Sequence, residues 1–133
     1  MSEDWSGQDL RGFDFSGMDL LGCDFSDSIL RNANFTGARL WCSDFTRADL
    51  SYANFAGADC TKAKFNGVEM QFASFRGTKL IQAQMVLADL KHCVFDGADM
   101  SLVYLMESDI EFASMNDVKM FHTCLPNGEI TSN

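Results

Sequence analysis

A period of five residues dominates this sequence from Leu10 to Ile130. Every fifth position in that range is apolar, which makes 25 apolar residues in register. The residue two places before each of them is small from Cys23 to Gly128, and the residue directly before it is usually polar, often Asp or Asn. Self-similarity at a fixed period is typical of a repeat architecture rather than of a conventional globular domain.

The period matches neither of the regular backbone structures, because helices repeat every 3.6 residues and strands every two. Within one repeat the order small, polar, large alternates inward and outward as in a strand, but only for three residues. The chain must then turn before the next repeat begins. Glycine recurs every 20 residues where such a turn needs a positive φ angle, at Gly17, Gly37, Gly57, Gly77 and Gly97. Four five-residue sides per coil, stacked as a square solenoid, satisfy both spacings.

Several repeats carry a recognisable motif. Ala48-Asp49-Leu50, Ala53-Asn54-Phe55 and Ala88-Asp89-Leu90 resemble the A(D/N)LXX unit of the pentapeptide-repeat family, as do Asn34-Phe35 and Ala58-Asp59-Cys60. The resemblance implies an all-β fold, namely a right-handed quadrilateral β-helix: a square solenoid of about six coils of 20 residues each.

We expect a single pentapeptide-repeat domain over residues 1–133. In this interpretation residues 1–6 form an N-terminal cap with Trp5 as its plug, and residues 7–125 form the repeats. Residues 126–133 form a C-terminal cap or tail, because Pro126 cannot donate a backbone hydrogen bond to the ladder.

Composition argues against several functional classes. The chain carries 10 basic and 19 acidic residues, a formal charge of −9, and direct nucleic-acid binding needs Lys and Arg to neutralise phosphates. No segment approaches the run of about 18 apolar residues that a membrane span needs, and the acidic N-terminus lacks a signal-peptide core. Five cysteines, an odd number without a CxxC pair, favour free thiols and a cytoplasmic location.

No pattern in the sequence is typical of a catalytic, cofactor or metal site. The two histidines, His92 and His122, are 30 residues apart, which places them on different corners of the solenoid. Cys23, Cys60 and Cys93 have the inward phase of small core residues. A packed interior leaves no cavity for a small substrate. We therefore predict that the protein is not an enzyme and uses no cofactor, metal or small-molecule substrate.

The first candidate surface is acidic. On the side centred on Leu10, Leu30 and Leu50, residues 20 apart stack into an outward column in which only Ile29 is not acidic. We call this set the acidic column: Asp9, Asp49, Glu69, Asp89, Asp109 and Glu129. Neighbouring like charges repel by about 1 kcal/mol in water, so stability alone does not favour the arrangement. The carboxylates either cap local backbone N–H groups or form a binding surface, and both interpretations are open at this stage.

The second candidate surface is apolar and lies in the last coils. We call it the apolar patch: Ile81, Val86, Leu87, Leu102, Tyr104, Met106 and Phe121, with Trp41 extending it towards the N-terminus. Exposed patches of this kind usually mark an interaction site, and a twofold dimer buries the same patch twice. A narrower stripe at the opposite corner, Tyr52, Phe72, His92 and Phe112, is interpreted as corner residues that cover one another.

The main functional hypothesis is a non-catalytic interaction scaffold, a rigid rod that self-associates or docks a protein partner through the apolar patch. The alternative comes from the family resemblance. Some pentapeptide-repeat proteins present acidic rods that imitate duplex DNA and bind type II topoisomerases such as DNA gyrase, conferring resistance to quinolones or related toxins. Under that alternative the acidic column is the binding surface, so the two hypotheses use different faces of the rod.

Overall fold

The computed structural model describes residues 3–132 and shows a four-sided β-helix. Single-residue parallel β-bridges join positions 20 apart, from Asp4↔Asp24 to Tyr104↔Cys124. Within residues 3–132 no bridge extends into a longer strand and no helix is present. Each parallel bridge falls on the residue directly before the large inward residue, so the strand character is confined to the short segment that the sequence predicts.

Tight turns form the corners. The N–H of Phe13 donates to the carbonyl of Leu10 at 3.1 Å, and the same bond recurs at other corners. The second residue after the large apolar one has a positive φ, 66° at Gly37 and 63° at Tyr52, as a type II turn requires. The predicted turn glycines are confirmed, but fifteen non-glycine residues between Asp27 and His122 adopt the same conformation.

The four faces are numbered here in chain order by their central inward residues. Face 1 is centred on Trp5, Phe25, Phe45, Phe65, Met85 and Leu105; face 2 on Leu10, Leu30, Leu50, Met70, Leu90 and Ile110; face 3 on Phe15, Phe35, Phe55, Phe75, Phe95 and Met115; and face 4 on Leu20, Leu40, Cys60, Leu80, Met100 and Met120.

Two facing phenylalanine ladders fill the core. On face 3 the rings of Phe35, Phe55 and Phe75 stack almost parallel, with centroids 4.8 and 4.9 Å apart. The ladder of face 1 meets them edge to face, for instance Phe45 against Phe55 at 5.6 Å. All of these rings are fully buried, and alanines such as Ala53 fill the space beside them. The interior is therefore packed by side chains, with offset and T-shaped ring geometry that favours aromatic pairs.

The two ends of the rod differ. At the N-terminal end Trp5 packs on Phe15 and Phe25, with centroids 5.6 and 6.3 Å apart. Asp4 already bridges Asp24, so regular pairing begins inside the segment predicted as the N-terminal cap.

At the C-terminal end the register changes. The chain turns at residues 126–128, the positive φ moves to Gly128, and Cys124 bridges Ile130 in antiparallel fashion. The register predicted for Glu129 is corrected here, because this turn carries it out of line with Asp109. Glu129 instead accepts a hydrogen bond from the N–H of Leu125 at 2.8 Å through its backbone carbonyl.

Candidate interaction surfaces

The apolar patch lies on the outside of the last coils, along face 1 and its corners with faces 4 and 2. Leu87 is its most exposed member, with 62% of its surface accessible, followed by Tyr104 with 54%. The other exposed members are Leu102, Met106, Phe121 and Trp41, whereas Ile81 and Val86 are half-buried. Large apolar side chains left in water at this density are typical of an interface.

Backbone pairing between coils brings most of the patch together. The N–H of Leu102 donates to the carbonyl of Phe121 at 2.9 Å, and the N–H of Leu87 donates to that of Met106 at 3.1 Å. Between these two pairs, the backbone carbonyl of Tyr104 accepts a hydrogen bond from a backbone N–H of the coil below. Consecutive coils therefore present their apolar side chains side by side.

Trp41 is the outlying member of the patch. In its column it is followed by Thr61 and then Ile81, as the bonds from Cys42 N to Thr61 O and from Lys62 N to Ile81 O show. Thr61 is buried and hydrogen-bonded to Asp59, so it contributes no exposed apolar surface. Within one copy Trp41 is thus separated from the rest of the patch.

The acidic column follows face 2 as a stack of neighbouring residues. Consecutive bridges join Asp49 to Glu69, Glu69 to Asp89 and Asp89 to Asp109. Asp9 is separated from this run by Ile29, which bridges both of its neighbours in the column. Four carboxylates are therefore stacked without interruption along the middle and C-terminal part of this face.

The aspartates of this column also serve the backbone. Oδ1 of Asp109 accepts the N–H of Glu111 at 3.0 Å, and Asp9, Asp49 and Asp89 bind the N–H two residues ahead in the same way. Aspartates and asparagines on the other faces make the same bond, for example Asn34 to Thr36 at 2.9 Å. Local capping of the turn therefore accounts for an aspartate at these positions without any partner.

Basic side chains at the next corner approach the second carboxylate oxygens. Arg11 lies 2.7 Å from Asp9 and Arg31 lies 2.6 Å from Asp49, while Nζ of Lys91 lies 3.5 and 3.6 Å from Asp89 and Asp109. Burial opposes ionisation of Asp49, but hydrogen bonds from Arg31 and Ser51 still lower its pKa. These ion pairs relieve the repulsion within the column and reduce its negative charge.

A column of alternating charge runs along face 4. Its bridges join Asp19 to Arg39 and continue through Asp59, Lys79 and Asp99 to Lys119. Over residues 3–132 only Arg39 and Asp19 in this column come within ion-pair distance, at 3.6 Å. These alternating charges therefore do not form a continuous series of ion pairs in the described range.

The histidines, cysteines and carboxylates do not form a metal site in the part of the chain that the structure describes. No three His, Cys, Asp or Glu residues within it lie close enough to hold a metal ion. Burial raises the pKa of the Cys93 thiol to about 12 and that of Cys60 well above its usual range. Over the same range no helix is long and apolar enough to cross a bilayer.

Comparison with known families identifies the repeat. A family model for pentapeptide repeats matches residues 6–41, 43–80 and 83–120, with eight copies of its unit. The chain belongs to the pentapeptide repeat family. The fold predicted from the sequence, a right-handed quadrilateral β-helix, is thereby confirmed. No curated protein matches the sequence.

Two solved structures show how this pentapeptide repeat protein relates to its family. A pentapeptide repeat protein from the thylakoid lumen of Arabidopsis thaliana is 39% identical, with a TM-score of 0.73 over 74% of this chain and 68% of that one. QnrB1, a plasmid-mediated fluoroquinolone resistance protein studied in a trypsin-treated form, superposes with a TM-score of 0.81. It is 23% identical over 92% of this chain and 67% of that one, which establishes a shared fold.

The aromatic stripe of this pentapeptide repeat protein is a continuous stack. Tyr52, Phe72, His92 and Phe112 lie with ring centroids 5.2, 4.6 and 5.0 Å apart and planes within 16° of parallel. Each ring covers its neighbours along the rod, as the sequence interpretation holds.

One column on the surface is not predicted as a unit, although its member Leu87 belongs to the apolar patch. Corner residues Arg47, Gly67, Leu87 and Glu107 form a column of their own, related by 20-residue steps. The 20-residue spacing that reveals the aromatic stripe at the opposite corner is the signal in the sequence that reveals this column too.

Proposed function

We propose that the protein is a non-catalytic interaction rod that self-associates or docks a protein partner through the apolar patch. The observation that carries this proposal is the contiguous exposure of Leu87, Leu102, Tyr104, Met106 and Phe121 on a rod whose interior is already filled. These side chains are not needed to complete the core, because the buried ladders lie beneath them. Covering them would remove apolar surface from water, which is the main driving force of association.

The test is the mass in solution of patch variants. Tyr104→Asp and Phe121→Asp place a charge in the patch without touching the core, so the fold and melting temperature are expected to persist while association is lost. Light scattering at two protein concentrations measures this. Phe112→Asp is the matched control, because Phe112 is also exposed and aromatic but lies at another corner, between faces 2 and 3.

Either a dimer or a foreign partner satisfies the proposal, and the same variants separate the two. A wild-type dimer that Tyr104→Asp dissociates assigns the patch to self-association. A wild-type monomer calls for capture experiments in which a partner is retained by wild type and by Phe112→Asp but not by Tyr104→Asp. Equal behaviour of all three proteins in both experiments would refute the proposal.

DNA mimicry towards a type II topoisomerase is the second candidate. The stack of Asp49, Glu69, Asp89 and Asp109 supports it, and the fold shared with the resistance protein QnrB1 makes the test worthwhile. The ion pairs with Arg31 and Lys91 weigh against it, as do seven basic residues against four acidic ones in residues 31–80. If the protein inhibits or protects gyrase, Lys at these four positions should abolish the effect on supercoiling. An unchanged effect would exclude the acidic column as the binding surface.

A cytoplasmic location remains a prediction. All five cysteines are free thiols, four of them buried, which suits a reducing compartment. The Arabidopsis relative comes from the thylakoid lumen, so fractionation of the native source is the direct measurement.

A further inference from the structure

The corner column between faces 1 and 2 combines an apolar projection, a gap and two opposite charges. Leu87 projects from the corner and is the most exposed residue of the apolar patch. One coil below it, Gly67 has no side chain, and the coils beyond these two carry Arg47 and Glu107. The order along the rod is therefore positive, gap, projection, negative. When two copies of the column run in opposite directions, the positive charge of each faces the negative charge of the other, and the projection of each faces the gap of the other.

The gap at Gly67 lies at the corner between faces 1 and 2. It forms a shallow, mostly apolar depression whose lining residues are Thr46, Arg47, Asn66, Gly67, Val86 and Leu87. A β-carbon at Gly67 would lie 3.6 Å from Cγ of Arg47, so the depression extends to the aliphatic part of that side chain. It offers an apolar floor next to the Leu87 projection.

The two charges that flank Gly67 and Leu87 in the column are available to a partner. Arg47 binds Asp27 through Nε and Nη2 at 2.9 and 3.0 Å, yet 64% of its side chain remains accessible. Glu107 is exposed and makes no ion pair with any other residue in the described range 3–132. An unpaired carboxylate two coils from the depression suits a cation supplied by another molecule.

We propose that two copies of this chain pair antiparallel through face 1, about a twofold axis that crosses the rod midway between Gly67 and Leu87. Leu87 of each copy then enters the Gly67 depression of the other, and Glu107 of each copy faces Arg47 of the other. The pairing rests on the proposed function and names a second copy as the partner of the apolar patch. An isologous interface of this kind makes every contact twice.

The same axis provides contacts for the rest of the face. It places Tyr104 opposite Asp44, so that the phenol O–H of one copy can donate to a carboxylate of the other. It also places Trp41, the outlying member of the patch, opposite Ser101 and Leu102. A residue that stands apart within one copy thus completes the patch of the second copy.

The antiparallel arrangement is favoured over a parallel one by charge. Asp4, Asp24 and Asp44 follow one another along the N-terminal half of face 1. A parallel pair would bring these three aspartates of both copies together, at a cost of several kcal/mol for close like charges.

The area of face 1 is also sufficient for a stable dimer. The rod has four sides and 6489 Å² of accessible surface, so one face exceeds the roughly 800 Å² per partner of a standard interface.

Charge reversal with complementation in trans tests this geometry. In Arg47→Glu two glutamates meet across the axis, and in Glu107→Arg two arginines meet, so each variant alone should dimerise at least about tenfold more weakly than wild type. An equimolar mixture restores both opposite-charge pairs in the heterodimer, and dimerisation should recover. Sedimentation velocity over a concentration series at low salt measures all four samples.

Two further variants control for local effects. Arg76→Glu removes a comparable exposed arginine, which pairs with Asp96 at 3.5 Å at the corner between faces 3 and 4, and should leave dimerisation unchanged. Gly67→Gln fills the depression, in a corner conformation that Gln82 already adopts with φ 62°, and should weaken dimerisation while Gly57→Gln does not.

The outcomes separate this inference from the function on which it rests. A wild-type dimer that Tyr104→Asp dissociates but that the charge variants leave intact would overturn the antiparallel register and keep the patch as an interface. Failure of the mixture to recover would do the same. A wild-type monomer at every concentration would overturn the pairing itself, and the foreign-partner form of the proposed function would then stand or fall by the capture experiment.

Discussion

At the scale of single residues, the corner conformation is the main local demand of this fold. L-residues other than glycine lose roughly 1–2 kcal/mol in the left-handed region, yet fifteen of them occupy it between Asp27 and His122. Aspartates and asparagines offset part of this cost because their side chains accept the N–H of the first corner residue, as Asp59 does for Thr61. The chain therefore tolerates many non-glycine residues with positive φ at its corners, because the pairing of coils holds each turn in place.

Gly57→Ala isolates the cost of the corner conformation. Gly57 has φ 67°, and an added β-carbon would meet no other atom within 4 Å, so only the backbone is affected. We expect the free energy of unfolding to fall by about 1 kcal/mol. Lys62→Gly at φ 61° is the reverse change and should stabilise by a smaller amount, since glycine loses more entropy on folding. Urea unfolding measures the free energy of both variants. Changes of the same sign in the two variants would contradict the explanation.

Thiol reactivity follows burial at the same scale. Cys42 is the exposed cysteine among the five, whereas Cys60 and Cys93 are fully buried with raised pKa values. We expect one thiol per chain to react rapidly with a maleimide at neutral pH and all five to react in denaturant, because the thiolate is the nucleophile. Cys42→Ser should leave no rapidly reacting thiol; a second fast site would show that the coils open locally.

At the scale of the repeating element, the stacked phenylalanines couple each coil to its neighbours. Phe55 contacts Phe35 and Phe75 on its own face and Phe45 and Phe65 on the opposite one. A ring removed from the middle of a ladder leaves a cavity bordered by four other rings. The surrounding backbone is paired on both sides, so it has little freedom to collapse into that space.

Phe55→Ala is expected to lower the free energy of unfolding by about 3–5 kcal/mol. Phe72→Ala provides the comparison, since Phe72 also stacks between two rings but is 46% exposed, and its loss should cost about 1 kcal/mol. Thermal and urea unfolding give both values. A similar loss for the two variants would mean that the outer stack carries as much stability as the core ladder.

At the scale of the whole molecule, the outward aspartates make the free energy of unfolding depend on pH. Hydrogen bonds from Ser114 and Asn116 and the nearby Arg76 lower the pKa of Asp96, and a hydrogen bond from Arg47 lowers the pKa of Asp27. A carboxyl whose pKa is lower in the folded state stabilises the protein above its unfolded pKa, about 3.9, and loses that contribution as pH falls through the folded value. Aspartates on different sides of the rod therefore contribute to this pH dependence.

The melting temperature should therefore be nearly constant from about pH 7 to 5 and should fall steeply below about pH 4. Asp96→Asn should melt lower than wild type at pH 7 and lose less between pH 5 and pH 3, because one of the linked carboxyls is gone. Circular dichroism melts across this range provide the measurement. A wild-type melting temperature that is unchanged at pH 3 would show that these hydrogen bonds contribute no net stability.

The sequence alone determined the architecture, the packed interior and the need for positive φ at the corners. It could do so because the parallel β-bridges of this solenoid all join residues 20 apart, so the period along the chain also gives the pairing between coils. The columns of surface residues follow from the same spacing, including the run from Asp49 to Asp109.

Only the tertiary structure decided the composition and continuity of those surfaces. It showed that Arg31 and Lys91 neutralise part of the acidic column, that the turn at 126–128 removes Glu129 from it, and that Thr61 separates Trp41 from the patch. It also showed that Gly67 leaves an open depression beside Leu87. Repeat spacing assigns each residue to a column, but side-chain conformations, ion pairs and the breakdown of register at a chain end depend on contacts that no period encodes.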